Sequence, residues 1–281
     1  VTSVREYSDV EYVFEPHSAS TPNLREYFQA LVSRRAFMVA LAKADLRSAR
    51  SNKALGNLWS VLDPMFQAAI YYFLYTVLRS GAARVEFLPV LIGDIFLFGL
   101  VSQAFSDAGS SVTRSKGLML SSTFPRALLP ATAIYKSLRS FVPIACTYVV
   151  LFPLVGGTLG FGVFVLPLLF AAHVMLMMGI ALLVSTFTVL YKDATNLVSY
   201  VLRVLFFATP LIYPVEILPG TARKLISWQP LFGLFSGYQR VFSGGVPSAW
   251  MVLHALVWAV VLLVLGGRVF LRHEREFTSH L

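Results

Sequence analysis

Apolar positions dominate long stretches of the chain, and the polar ones fall between them. No Asp, Glu, Lys or Arg occurs between Arg139 and Lys192, a run with GGTLGFG near its middle. A helical bilayer crossing needs about 20 mostly apolar residues, so this run leaves room for two crossings with the glycines as the turn, placed at about 128–154, with Lys136 and Arg139 in its first half, and about 161–190. A second uncharged run between Arg240 and Arg268 predicts another at 250–271. Shorter apolar segments predict crossings at 58–78, with Trp59 at the interface and Asp63-Pro64 in its opening turns, and at 87–106, with Asp94 inside and Asp107 closing it. A further one starts near Asn196, includes Arg203 and runs to Thr209.

Ahead of these, Thr21-Pro22-Asn23 caps a segment with Leu24, Tyr27, Phe28 and Leu31 at helical spacing, and Glu26 follows Asn23 by three residues. Its continuation carries Arg34, Arg35, Lys43, Arg47, Arg50 and Lys53, too much charge to cross. Phe37, Met38, Leu41 and Leu46 suit burial among lipid headgroups, which predicts an amphipathic interface helix over 24–57. The alternative is a helix packed only on protein.

Residues 209–219 read TPLIYPVEILP, and Pro210, Pro214, Pro219 and Pro230 rule out one unbroken helix over 209–240. Ile212, Ile217, Leu225, Trp228, Leu231, Phe235 and Tyr238 make the stretch too apolar for an aqueous loop. Broken backbone at membrane depth survives where protein or a water-filled cavity satisfies its polar groups. The stretch is therefore expected to form a re-entrant pair of short helices at the outer end of a translocation path. The linker TRSKGLMLSSTFPRALLP is basic and has an apolar patch at Leu118, Met119 and Leu120, a combination that suits docking on a soluble partner.

Composition agrees with a membrane location: 57% of the 281 residues are hydrophobic and 13% charged, with a mean hydropathy of +0.70. The net charge of +9 is distributed as the positive-inside pattern requires when both termini face the cytoplasm. Arg79, Arg84, Arg223, Lys224 and Arg240 then fall outside, and the basic clusters at the chain ends and in the second linker fall inside. This favours a membrane face over a nucleic-acid partner. The opening 23 residues lack an apolar core and read as a cytoplasmic tail, as do residues 272–281.

No G-x-x-x-x-G-K-[ST] loop occurs, so ATP-driven work needs another subunit. The five histidines are scattered, RHEREF is not a zinc motif, and Cys146 stands alone, so no metal site or catalytic group is expected. Charged groups at membrane depth cost about 2.5–3.5 kcal/mol each on insertion scales and tend to face a cavity or a partner. Asp63, Asp94, Lys136, Arg139 and Arg203 are such groups. An ion relay through Asp94 and Arg139, or a membrane enzyme using Asp63 or Asp94 as acid or base, are the competing readings; snorkelling to the interface is the bland one.

Several segments carry a family resemblance: LGNLWSVLDPMF at 55–66, TFPRALLPA at 123–131, LYKDATNLVSYVLRVLFFATPLIYPVEILP at 190–219, QPLFGLFSGYQRVFSGG at 229–245, and the closing GRVFLRHEREF. From about Phe37 onward the chain resembles the transmembrane subunit of ABC-2-type polysaccharide exporters, the O-antigen, teichoic acid and galactan export group. The resemblance implies an all-α integral membrane domain over 58–271 with six transmembrane helices, an amphipathic N-terminal interface helix, a coupling helix near 114–124, and gate helices between crossings five and six. It also implies a homodimer in the bacterial inner membrane with two separate ATPase subunits that bind ATP and magnesium, and a polyprenyl-diphosphate-linked glycan as cargo. Asp94 and the polar run Lys136 to Arg139 depart from the family pattern.

On that resemblance, the candidate channel residues are Phe66, Tyr71, Tyr72 and Tyr75 in crossing one, Asp94 in crossing two, and Phe206, Phe207, Tyr213 and Phe232 beyond, since sugars stack on aromatic faces. Arg34, Arg35, Arg47 and Arg50 are candidates for the lipid diphosphate, and Lys116, Leu118, Met119, Leu120 and Phe124 for the ATPase contact. Core packing and ordinary headgroup contact remain the alternatives for each.

Overall fold

The structure is a computed structural model, and it describes residues 24–50, 58–78, 87–121, 124–191, 193–213, 219–274 and 276–277. The expected tail up to residue 23, residues 51–57 of the expected interface stretch, the loop holding Arg79 and Arg84, Lys192, the 214–218 part of the proline-rich stretch, and 275 and 278–281 of the expected tail 272–281 lie outside the described residues. So do the side chains of Arg50, Tyr75 and Leu120. Glu274 and Phe277 of the expected tail 272–281 are instead folded onto the protein.

Every described element is helical: α1 (Leu24–Ser33), α2 (Arg35–Arg50), α3 (Trp59–Leu78), α4 (Leu88–Arg114), α5 (Lys116–Ser121), α6 (Leu128–Leu154), a 3-10 turn (Phe161–Val165) leading into α7 (Leu166–Leu190), α8 (Ala194–Ala208), α9 (Gly220–Ser227), α10 (Phe232–Phe242) and α11 (Ala249–His273). Among the described residues four helices are long and apolar enough to cross a membrane: Leu88–Arg114, Leu128–Leu154, Phe161–Leu190 and Ala249–His273. The spans expected at about 128–154 and 161–190 agree with two of these helices. Helix α3 is 20 residues long, but Asp63, Pro64, Gln67 and three tyrosines dilute its apolar character. Helix α8 has 15 residues, too few for a full crossing alone.

The expected interface helix is divided. The amide of Arg34 reaches Ala30 O at 3.3 Å and Met38 N reaches Arg34 O at 3.2 Å, long bonds that mark a loosened turn. Ser33 Oγ donates to the same Ala30 carbonyl at 2.9 Å and competes with the backbone there.

Helix α4 does not stop near Ser106. Ala104, Phe105, Ala108, Gly109 and Val112 continue one buried face down to Arg114, and Asp107 becomes an interior helical residue instead of a terminus. Pro89 opens the helix, where a missing N–H costs nothing. Buried on nearly every side, α4 is the axis of the fold and packs against α3, α6, α7, α8 and α10.

Around this axis α7 and α11 form the tightest pair. Glycines make the approach possible: a Cβ on Gly179 would strike the backbone of Leu262, and one on Gly266 would strike the carbonyl of Gly179. Two short helices replace a continuous crossing after α8, as the prolines predict. Helix α10 inserts Leu234, Phe235, Tyr238 and Val241 into the core formed with α4, α7 and α11, whereas α9 buries no residue and leaves Trp228 74% exposed. The glycine turn after α6 meets the turn after α10, with Gly160 and Gly162 against the backbones of Gly244 and Gly245. The opposite end of the bundle carries α1, α2, α5 and the last turn of α11.

Candidate functional site: an aromatic and polar cavity

Helices α3, α4, α6 and α8 line an open-sided cavity of about 960 Å³, edged by Leu46 of α2. One part of its wall is aromatic. The Phe206 ring lies 5.2 Å from Tyr71, 5.2 Å from Phe98 and 5.3 Å from Phe207, which gives a cluster spanning three helices. Another part offers hydrogen-bonding groups from Asp63, Gln67, Ser102, Gln103, Ser106, Lys136, Ser140 and Arg203, set among apolar residues such as Ile95, Leu100 and Ile144. Such a wall offers flat faces for sugar rings together with donors and acceptors for hydroxyls.

The polar groups reach the cavity because α4 and α6 are not uniformly apolar. Ser102, Gln103 and Ser106 occupy the side of α4 that turns away from its buried face, and Lys136 and Ser140, four apart, share one face of α6. Lys136 Nζ lies 2.8 Å from Asp107 Oδ1, with the two side chains only 11% and 17% exposed. This pair also borders a second cavity of about 310 Å³, lined by Leu41, Asp45, Arg114, Gly117 and Leu118 among others. Lys136 lines both spaces, so the ion pair stands in the wall between them.

Of the predicted channel residues, the structure brings Tyr71, Phe206 and Phe207 into the cavity. Phe66 points outward and is 57% exposed. Tyr72 packs with Leu91, Ile92 and Ile95 between α3 and α4. Tyr213 donates its hydroxyl to Phe207 O at 2.8 Å, and the Phe232 ring sits 6.3 Å from the His254 ring. Asp94 is fully buried away from the cavity: its Oδ2 accepts from Gln239 Nε2 at 2.6 Å and its Oδ1 has no partner. Asp94 pairs with Gln239 and Lys136 with Asp107, while Arg139 is exposed.

Arg34, Arg35 and Arg47 are exposed in the α1–α2 segment, and Arg47 follows Leu46 at the cavity edge. At the candidate docking segment, Lys116 and Gly117 are exposed, Leu118 is half-buried, and Met119 is 7% exposed in a cluster with Val112, Leu129, Phe270 and Phe277. Phe124 sits against Phe37 with ring centroids 5.8 Å apart. Leu118 and Met119 thus face the protein, and Lys116 and Gly117 are exposed on α5.

Sequence reasoning missed Gln67, Gln103 and Gln239. Uncharged amides carry no formal charge to mark them at membrane depth, yet a buried amide still needs a hydrogen-bond partner. Tyr27 and Glu274 were also missed as a pair; their separation of 247 residues leaves no local signal.

Comparison with known proteins adds to this geometry. Residues 37–243 match the family described as ABC-2 type transporter. The chain is similar to an O-antigen export system permease protein RfbA of Myxococcus xanthus, 25% identical over 268 residues covering 92% of this chain and 98% of the relative. It is also similar to a protein of that name from Klebsiella pneumoniae, 23% identical over 248 residues covering 87% of this chain and 94% of the relative.

Proposed function

The chain belongs to the ABC-2 type transporter family, and from that premise we propose that it exports a polyprenyl-diphosphate-linked polysaccharide from the cytoplasmic to the outer side of the inner membrane. It is the multi-pass membrane subunit of such an exporter, and hydrolysis of ATP belongs to a partner subunit. Two copies of the chain work with two ATPase subunits, which hold ATP and magnesium. The observation that carries the reading from family to cargo is the cavity wall, where the Tyr71, Phe98, Phe206 and Phe207 rings adjoin Gln67, Gln103 and the serines of α4 and α6. A path for ions would need a continuous polar lining, and one for lipid tails alone would need none. The named relatives are permeases of O-antigen, itself a polysaccharide, which supports the same class of cargo.

In this reading six segments cross the bilayer within 58–271: α3, α4, α6, the 3-10 turn with α7, α8, and α11. Both termini are cytoplasmic. Residues 24–57 form the interface region and 114–124 the coupling segment, where Lys116 and Gly117 meet the ATPase. Helices α9 and α10 re-enter from the outer side and gate the exit. Glycan passes along the aromatic cluster, while Arg34, Arg35, Arg47 and Arg50 at the inner leaflet attract the anionic diphosphate.

Depletion of the chain in cells tests the proposal. Lipid-linked glycan is expected to accumulate on the cytoplasmic side, and affinity purification of the chain is expected to bring a P-loop ATPase with it. Normal surface glycan after depletion, with no such ATPase recovered, would refute the export reading.

A further inference from the structure

Three segments distant in the chain converge on Glu274, one residue beyond the end of α11. Its Oε1 accepts the Tyr27 hydroxyl of α1 at 2.8 Å and the backbone N–H of Arg126 at 2.7 Å. Its backbone carbonyl accepts from the Arg126 guanidinium. The Tyr27 oxygen in turn accepts the N–H of Ala127 at 3.2 Å. Burial, and then the Glu274 carboxylate, push the Tyr27 hydroxyl well above its ordinary value, so it remains a donor.

Below this network lies an apolar floor. The rings of Phe270 and Phe277 are 5.2 Å apart and belong to the buried cluster that includes Met119 of α5 and Leu129 of α6, with Leu41 of α2 and Phe124 against it. The α1–α2 segment, the turn between α5 and α6, and the last turn of α11 are therefore joined by both hydrogen bonds and packing. From that joint α11 runs 25 residues, about 37 Å at 1.5 Å per residue, to the end of the bundle where it packs on α10. No proline interrupts it.

We propose that Glu274, held by Tyr27 and Arg126, is a positioning residue for energy coupling: it fixes the turn after α5 to α11, so that a displacement imposed at α5 reaches α10 along one continuous helix. This rests on the reading of the chain as the membrane subunit of an ATP-driven exporter. An unfastened α5 still meets the ATPase but moves without carrying α11 with it.

The test uses the complete complex of this chain and its ATPase subunit in proteoliposomes, scored as glycan exported per ATP hydrolysed. Glu274→Ala is expected to keep ATP turnover within twofold of the unmodified complex while the ratio falls at least fivefold. Glu274→Gln keeps one oxygen able to accept both Tyr27 and Arg126 and is expected to restore the ratio. Tyr27→Phe is expected to lower it two- to threefold, and the Tyr27→Phe/Glu274→Ala pair no further than Glu274→Ala. A role confined to folding would reduce complex yield, ATP turnover and export together, leaving the ratio unchanged, and that result would overturn the proposal. So would Glu274→Gln falling as far as Glu274→Ala. If Glu274→Ala does not assemble, an unchanged ratio in Tyr27→Phe decides against the joint. An unmodified complex that hydrolyses ATP without exporting glycan refutes the export reading itself and removes the premise of the joint, an outcome distinct from any change confined to the variants.

Discussion

Gln239 donates at 2.6 Å to the carboxylate of Asp94, 145 residues earlier in the chain, and at 2.7 Å to the carbonyl of Pro210. One amide thus reaches one oxygen of a fully buried acid on α4 and the backbone freed by the break after α8, and fastens both to α10. Replacing Gln239 by Leu strands two buried acceptors, at about 1–3 kcal/mol each. Asp94→Asn keeps an acceptor oxygen for Gln239 and removes a buried acid, and is expected to stay within about 1 kcal/mol of the unmodified chain. Thermal unfolding of the purified membrane protein checks this: Gln239→Leu should melt well below both the unmodified chain and Asp94→Asn. Equal midpoints for the two variants would show that the amide bridge contributes nothing.

The Lys136 and Asp107 pair is close enough to be strong and buried enough to be costly when broken. Removing one partner of a buried pair typically costs about 3–5 kcal/mol, because the other charge is left unpaired, while replacing both by apolar groups is often neutral. Lys136→Met is therefore expected to be markedly less stable than Lys136→Met/Asp107→Leu. A double-mutant cycle on unfolding midpoints measures the coupling, and additive effects would mean that the two charges act independently.

Much of this architecture was legible from residue order, and the limits of that reading have identifiable causes. The glycine-rich turn near 156–162 and the charges at Lys192 and Asp193 placed the end of α6 and both ends of the α7 unit closely, because these breakers coincide there with the ends of hydrophobicity. Asp107 misled the reading of α4: a lone carboxylate looks like a terminus until a lysine 29 residues later is seen to neutralise it. The aromatic lining was half legible. Phe206 and Phe207 stood out by type, but which side of α3 carries Tyr71 inward and Phe66 outward depends on where α4 packs. Glu274 was legible only as part of a motif, since the groups it holds come from the other end of the chain.

The aromatic cluster makes a prediction that separates lining from exposure. Phe206→Ala removes the ring that touches Tyr71, Phe98 and Phe207, and such ring contacts contribute about 0.5–1.5 kcal/mol each. Export of glycan is expected to fall about two- to tenfold on that scale. Phe66→Ala, outside the cavity on the same helix as Tyr71, is expected to leave export unchanged. Export rates measured at matched amounts of membrane-inserted protein test this, and equal losses in both variants would remove the cavity from the path.

Adjacent glycines on α11 offer a sharp test of the α7 contact. A Cβ at Gly266 would meet the backbone of Gly179, which has no rotamer by which to move aside, whereas nothing lies within 4 Å of a Cβ at Gly267. The same substitution should therefore have opposite consequences one residue apart. Gly266→Ala forces the two helices apart, an overpacking cost of about 1–3 kcal/mol, and the displacement is carried to Leu262, where α11 also lies against Gly179. Gly267→Ala introduces no clash and gains helix propensity of up to about 1 kcal/mol. Expression, detergent-resistant folding and unfolding midpoint should all fall for Gly266→Ala and hold or rise for Gly267→Ala. If the two variants behave alike, the axes of α7 and α11 lie farther apart than the contact at Gly179 requires, and the core around α10 must be held by other means.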